Sequence, residues 1–113
     1  HLGRDSLVAV TMVLNRMSQS KNTVSSIYNS LPQYKIVKDK INIKELDKNK
    51  LLSKVNDLFD GVEKNTIDGL KFIWDDKWIH LRSSNTEPIM RIYAEAASEK
   101  VAKELVMLVK NLL

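Results

Sequence analysis

The chain has 113 residues, no cysteine and a formal net charge of +4. That length supports one modest core and hardly two, while the absence of thiols excludes a disulfide framework or a thiolate metal site and fits a reducing compartment. The charge excess lies wholly between residues 35 and 54, where seven lysines meet three acids; such a stretch reads first as the solvated face of a strand and helix, and otherwise as a nucleic-acid patch.

In chain order, His1-Leu2-Gly3-Arg4 opens abruptly, which reads as a cut rather than a natural N-terminus. Asp5 is a fair N-cap for a helix running to about Gln19. Its residues Leu7, Val8, Ala9, Val10, Met12, Val13, Leu14 and Met17 make it apolar around most of its circumference, a pattern of helices buried on several sides. So small a chain offers little to bury it against, so the expected partner lies in a longer parent. The run is far shorter than the roughly 17–25 residues that cross a bilayer. No basic n-region or cleavage site accompanies it, so no membrane association is expected and cytoplasm is the expected location.

Asn22 or Thr23 caps a second helix, with Val24, Ile27, Tyr28 and Leu31 at helical spacing and Pro32 at its end. Tyr34 to Ile43 reads as a strand of imperfect alternation that carries the chain between domains. Leu46 to Phe59 follows as an amphipathic helix with Leu51, Leu52, Val55, Leu58 and Phe59 inward. Strands are expected over Val62–Ile67, Leu70–Trp74 and Trp78–Arg82, turned by Asp68-Gly69 and Asp75-Asp76-Lys77. Trp74 and Trp78 flank the second turn and are expected to pack together or anchor a sheet edge, which outweighs base stacking. Asp75 and Asp76 are explained by the turn better than by a metal. A strand from Ile89 to Ala94 and a helix from near Ser98 toward Leu112, with Val101, Leu105, Leu108, Val109 and Leu112 buried, complete the chain. The expected fold is α+β: a four-stranded, largely antiparallel sheet with helices packed on one face, preceded by helices from the end of a preceding domain.

The chemistry concentrates in Arg82-Ser83-Ser84-Asn85-Thr86-Glu87-Pro88-Ile89-Met90-Arg91. Two arginines, whose planar forks match phosphate oxygens, frame hydroxyl and amide donors that add no charge. A Ser/Asn/Thr turn also points backbone N–H groups inward as an anion nest. Glu87 would repel such an anion and is expected to face away, holding one arginine. The bland alternative is a polar turn with an incidental ion pair. His80 is expected on the same sheet face as Arg82, as a solvent-facing or hydrogen-bonded side chain, and no nucleophile arrangement accompanies it.

Arg82 to Pro88, with Arg91 in register and Asp68-Gly69 upstream, resembles the C-terminal phosphate-binding loop of the α-D-phosphohexomutases: phosphoglucomutases, phosphomannomutases and phosphoglucosamine mutases. The resemblance implies that residues 1–40 are the tail of the family's third domain with a linker, and that 41–113 are its fourth. It implies an intramolecular phosphotransferase that interconverts hexose 1- and 6-phosphates through a bisphosphorylated intermediate. Arg82, Ser84, Asn85, Thr86 and Arg91 would grip the phosphate that is not transferred, with Ser83 a weaker candidate. The phosphoserine, the Mg2+ ligands and the sugar-reading loop of the family have no counterpart in this sequence. The chain alone is therefore expected to be inactive, with a phosphosugar and the missing domains of its own chain as partners. A basic nucleic-acid-binding domain built on Lys35–Lys54 is the alternative.

Overall fold

The computed structural model describes residues 5–113, so the opening His1–Arg4 lies outside the described residues. The chain divides into two compact units that meet between Gln33 and Tyr34.

The first unit is a pair of helices, α1 (Ser6–Ser20) and α2 (Val24–Ser30). Asp5 caps α1 by accepting from the backbone N–H groups of Leu7 and Val8 at 3.0 and 3.1 Å, and Lys21 ends it in the left-handed region at φ 54°. Thr23, not Asn22, caps α2 through Ser26 N–H. Leu31 then leaves the helix in the extended conformation that a following proline requires. No side chain of either helix is buried; Leu7 is 78% and Met12 67% exposed. Among the described residues no helix is long and apolar enough to cross a membrane.

The second unit runs β1 (Lys35–Asn42), α3 (Lys48–Leu58), β2 (Glu63–Asn65), β3 (Leu70–Ile73), β4 (Lys77–Ser83), β5 (Ile89–Ala96) and α4 (Glu99–Lys110). Its sheet has the order β1-β5-β4-β3-β2, and every neighbouring pair is antiparallel. The sheet thus has five strands where four were expected. The added strand is the segment read as a connection between domains: all eight residues of β1 pair with β5, Lys35 opposite Ala96 through Asn42 opposite Ile89. Pairing with a strand 47 to 61 residues downstream leaves little local trace, which is why a lysine-rich stretch of uneven alternation read as a crossing. β2 stops at Asn65, short of the expected Ile67, because the Asn65 side chain accepts from Ile67 N–H at 2.9 Å and starts the turn early. Ile67 is left 92% exposed.

Period-two alternation sends Ile41, Leu70, Phe72, Ile79, Leu81, Met90, Ile92, Ala94 and Ala96 to one face of the sheet, where all are buried. Leu51, Val55 and Phe59 from the α3 segment and Ala102, Leu105, Val106 and Val109 of α4 join them in one core. Helix caps set both elements: Asp47 accepts from Asn49 and Lys50 N–H, and Ser98 from Val101 N–H. Phe59 meets Phe72 at 5.0 Å and Trp74 edge-on at 5.2 Å between ring centroids. Lys110 ties α4 to β1 through Asp39 at 2.8 Å, and that bond with its lysine holds the Asp39 carboxyl below its ordinary value. Within this unit α3 and α4 cover the same face of the sheet, as expected.

Candidate phosphate-binding site on the open sheet face

The uncovered face is built from the alternate residues of the same strands. Residues directly opposite in an antiparallel ladder project to the same side. Since Ile79, Leu81, Met90 and Ile92 face the helices, Trp78, His80 and Arg82 on β4 and Ile89, Arg91, Tyr93 and Glu95 on β5 face outward. The register places Arg82 directly across from Arg91, and Arg91 across from Lys40 on β1. Three cations therefore stand in one row over three adjacent strands. Like charges so opposed repel, and their exposure to water is what makes the row tolerable.

At the end of this row β4 and β5 are joined by Ser84–Pro88. The loop is fastened at both ends: Ser84 N–H donates to Ile89 O at 2.9 Å, and Ile43 N–H, just past β1, donates to Pro88 O at 2.9 Å. Inside it, the Ser84 hydroxyl oxygen accepts from the backbone N–H groups of Thr86 at 3.4 Å and Glu87 at 3.3 Å. Ser84 thus occupies the nest expected for an anion. The Ser84 and Thr86 hydroxyls lie 3.4 Å apart, and either can donate to the other. Asn85 and Thr86 are exposed at the tip, and Ser83 is half-buried at the end of β4, paired with Met90.

Glu87 departs from expectation. Instead of facing away to hold an arginine, it lines an open groove of about 440 Å³ shared with Lys38, Asp39, Lys40, Ile89, Arg91 and Tyr93. The groove thus holds two carboxylates, Asp39 and Glu87, among three cations, Lys38, Lys40 and Arg91. The acid that pairs with an arginine is Asp68, whose Oδ2 lies 3.1 Å from Arg82 Nη1. It reaches β4 because Gly69 takes a positive φ of 91° and packs its Cα against the strand: a Cβ there would stand 2.3 Å from Leu81 O. His80 does share the face of Arg82 and is hydrogen-bonded, its Nε2–H donating to Asp68 O at 2.5 Å. An acceptor carbonyl fixes that tautomer.

The tryptophans do not pack together. Trp74 joins the core beneath the sheet, whereas Trp78 lies on the open face, donating to Glu95 Oε1 at 3.0 Å with the Lys71 ammonium 4.2 Å over its ring. The lysine segment divides likewise: Lys38 and Lys40 project from the open face, while Lys48, Lys50 and Lys54 ride on α3 across the sheet. No single stripe gathers them. Asp75 and Asp76 form the turn in which Trp74 N–H donates to Lys77 O at 2.9 Å, and among the described residues no group of three or more histidines and carboxylates is placed to hold a metal. Sequence reasoning passed over Lys40 and gave Asp68 no role at the site. Asp68 stood in the motif, but the contact with Arg82 requires the fold of a turn 14 residues earlier.

A profile of the phosphoglucomutase/phosphomannomutase C-terminal domain matches residues 40–112. The phosphoglucomutase/phosphomannomutase of Thermococcus kodakarensis is 37% identical over 105 residues, which are 91% of this chain and 23% of that protein. The phosphoglucosamine/phosphogalactosamine mutase of Sulfurisphaera tokodaii is 34% identical over 112 residues, 96% of this chain and 25% of its own length. A crystal structure of a phosphoglucomutase/phosphomannomutase family protein from Burkholderia thailandensis superposes with a TM-score of 0.51 at 32% identity, covering 71% of this chain and 17% of that one. The chain spans about a quarter of the length of the curated relatives it matches. With the five-stranded fold and the arginine-framed loop in place, these matches establish that the chain belongs to the phosphoglucomutase/phosphomannomutase family, through that family's C-terminal domain.

Proposed function

We propose that the Ser84–Pro88 loop, with Arg82 and Arg91, holds the non-reacting phosphate of a hexose or hexosamine phosphate in an enzyme that interconverts the 1- and 6-phosphates. The observation that carries this reading is the opposition of Arg82 and Arg91 beside a loop fastened at both ends. An arrangement that costs repulsion when empty gains when an anion bridges it. Arg82 and Arg91 supply charge-assisted donors; Ser84, Asn85 and Thr86 supply neutral ones. Lys40 extends the field across the groove.

A grip that reads phosphate and not sugar suits a reaction through a bisphosphorylated intermediate, since either end of the sugar can occupy it. It also supplies binding energy remote from the reacting end, which orients that end. The phosphoryl donor, the Mg2+ site and the sugar-reading loop belong, in this reading, to the other domains of the protein. This chain alone is inactive. In this reading α1 and α2 end the third domain, the sheet unit that begins at Tyr34 and includes β1 forms the fourth, and the uncovered apolar residues of α1 and α2 pack against the rest of the third.

The test is a chemical-shift titration of the chain with inorganic phosphate, glucose 6-phosphate and glucosamine 6-phosphate, repeated with Arg82→Ala. Similar shifts of Ser84, Asn85 and Thr86 with all three ligands, lost in the variant, support a generic phosphate grip. Silence of these amides at millimolar ligand would dismiss it.

A further inference from the structure

We infer that Asp68 is a positioning residue for the phosphate grip: it holds the Arg82 guanidinium in place before any anion arrives. The inference rests on the reading of Arg82 as a phosphate ligand.

Three successive residues of β4 secure the turn that carries Asp68. His80 donates through Nε2–H to the Asp68 carbonyl oxygen. Gly69 lies so close to Leu81 that a Cβ would meet its carbonyl oxygen at 2.3 Å and the Arg82 Cα at 3.2 Å. Arg82 itself receives the Asp68 carboxylate at 3.1 Å. The two side chains are 48% and 58% exposed, so the ion pair contributes little to stability. So tight a seating for so weak a pair points to orientation as its role.

The direction of the pull supports this. β3 and β5 flank β4 on opposite sides. Arg91 approaches Arg82 from the β5 side, and the turn leading into β3 brings Asp68 from the other. Repulsion from Arg91 and attraction to Asp68 act in the same sense on the guanidinium. The carboxylate engages Nη1 and leaves the other N–H donors of the fork for an anion. A long, exposed arginine otherwise samples many rotamers, and ordering it on binding lowers affinity.

The opposing effect has the opposite sign, which makes the inference testable. A carboxylate next to an anion site repels the anion, so electrostatics alone predicts tighter phosphate binding when Asp68 is removed. Positioning predicts weaker binding.

The experiment titrates inorganic phosphate into the wild-type chain and into Asp68→Ala, Asp68→Ser and Asp68→Asn, following the amides of Ser84, Asn85 and Thr86 and the Arg82 side-chain N–H signal. The sheet amides report folding in every variant. The expected result is a loss of affinity on the order of three- to tenfold in Asp68→Ala and Asp68→Ser, although each variant gains net positive charge. Asp68→Asn, whose amide oxygen still accepts from Arg82, stays within about twofold of wild type. The Arg82 side-chain signal, distinct in the wild type before phosphate is added, averages in the two shortened variants. Affinity equal to or above wild type in Asp68→Ala or Asp68→Ser would overturn the positioning role while leaving the phosphate grip standing. A wild-type loop that ignores phosphate would overturn both.

Discussion

The two faces of the sheet are made from the same strands in the same ladder, yet they are held by different physics. On the covered face Ile79, Leu81, Met90 and Ile92 are 0–1% exposed and meet helices; what matters there is volume and apolarity, and any well-packed hydrophobe serves. On the open face the intervening residues His80, Arg82, Arg91 and Tyr93 meet solvent and one another. Their value depends on which charge stands opposite which. Folding stability therefore resides on one face and the cations proposed to grip phosphate stand on the other, one residue apart along each strand. A register slip of one residue would exchange them.

The sharpest way to break that division is to substitute neighbours on β5. Ile92→Ala, at a site with no exposure, is expected to lower the unfolding free energy by about 2–5 kcal/mol. Arg91→Ala, the adjacent residue, should change it by no more than about 0.5 kcal/mol while weakening phosphate binding. Urea denaturation of both variants checks the contrast. Equal losses of stability would mean that the open face carries structural weight after all.

Gly69 connects the two faces, because the turn it permits reaches from the strand backbone to Arg82. Gly69→Ala combines a positive φ of 91° with a 2.3 Å approach to a backbone oxygen, and is expected to cost on the order of 1–3 kcal/mol. It should also shift the Arg82 signals, since the Asp68 turn must move away from β4. Gly61, with φ 76° but open space around its missing Cβ, should tolerate alanine better. A comparison of thermal unfolding and Arg82 chemical shifts in the two variants decides whether space or backbone conformation dominates.

The smallest expected effect lies at the covered edge, where Lys110 meets Asp39. The lysine holds the Asp39 carboxyl below its ordinary value. The pair therefore contributes stability above the unfolded-state carboxylate pKa, and the contribution is lost as pH falls through the depressed folded-state value. Both side chains are about a third exposed, so screening keeps the contribution near 0.5 kcal/mol. Lys110→Met should reduce that acid sensitivity, leaving a stability curve flatter than the wild type as pH falls below the ordinary carboxylate value of 3.8, while the bond from Lys40 N–H to Asp39 remains.

Much of the fold was legible in local pattern. The caps Asp5, Thr23 and Ser98, the apolar stripes of α3 and α4 apart from Leu58 and Leu108, which were expected inward and are exposed, and the strands around Ile79 and Ile92 follow from spacing and from the few residue types that satisfy free backbone groups. β1 was legible as a strand but not as a member of the sheet, since its partner is β5, and the sequence holds no local record of that pairing. The donor-rich loop and its two arginines were plain from composition alone. Glu87 was not: its charge was read correctly, but whether it faced the arginines or solvent depends on the path of Pro88 against Ile43.

By itself, then, the sequence determined the elements, the covered face and the chemical character of the loop, because these depend on residue type and on periods of two and 3.6 along one segment. Only the tertiary structure decided that Arg82, Arg91 and Lys40 stand in one row, that Asp68 and not Glu87 pairs with Arg82, and that Trp74 and Trp78 lie on opposite faces of the sheet. Each of these depends on register between segments far apart in the chain. Register is selected by burial of the whole covered face at once, and no single stretch of residues carries it.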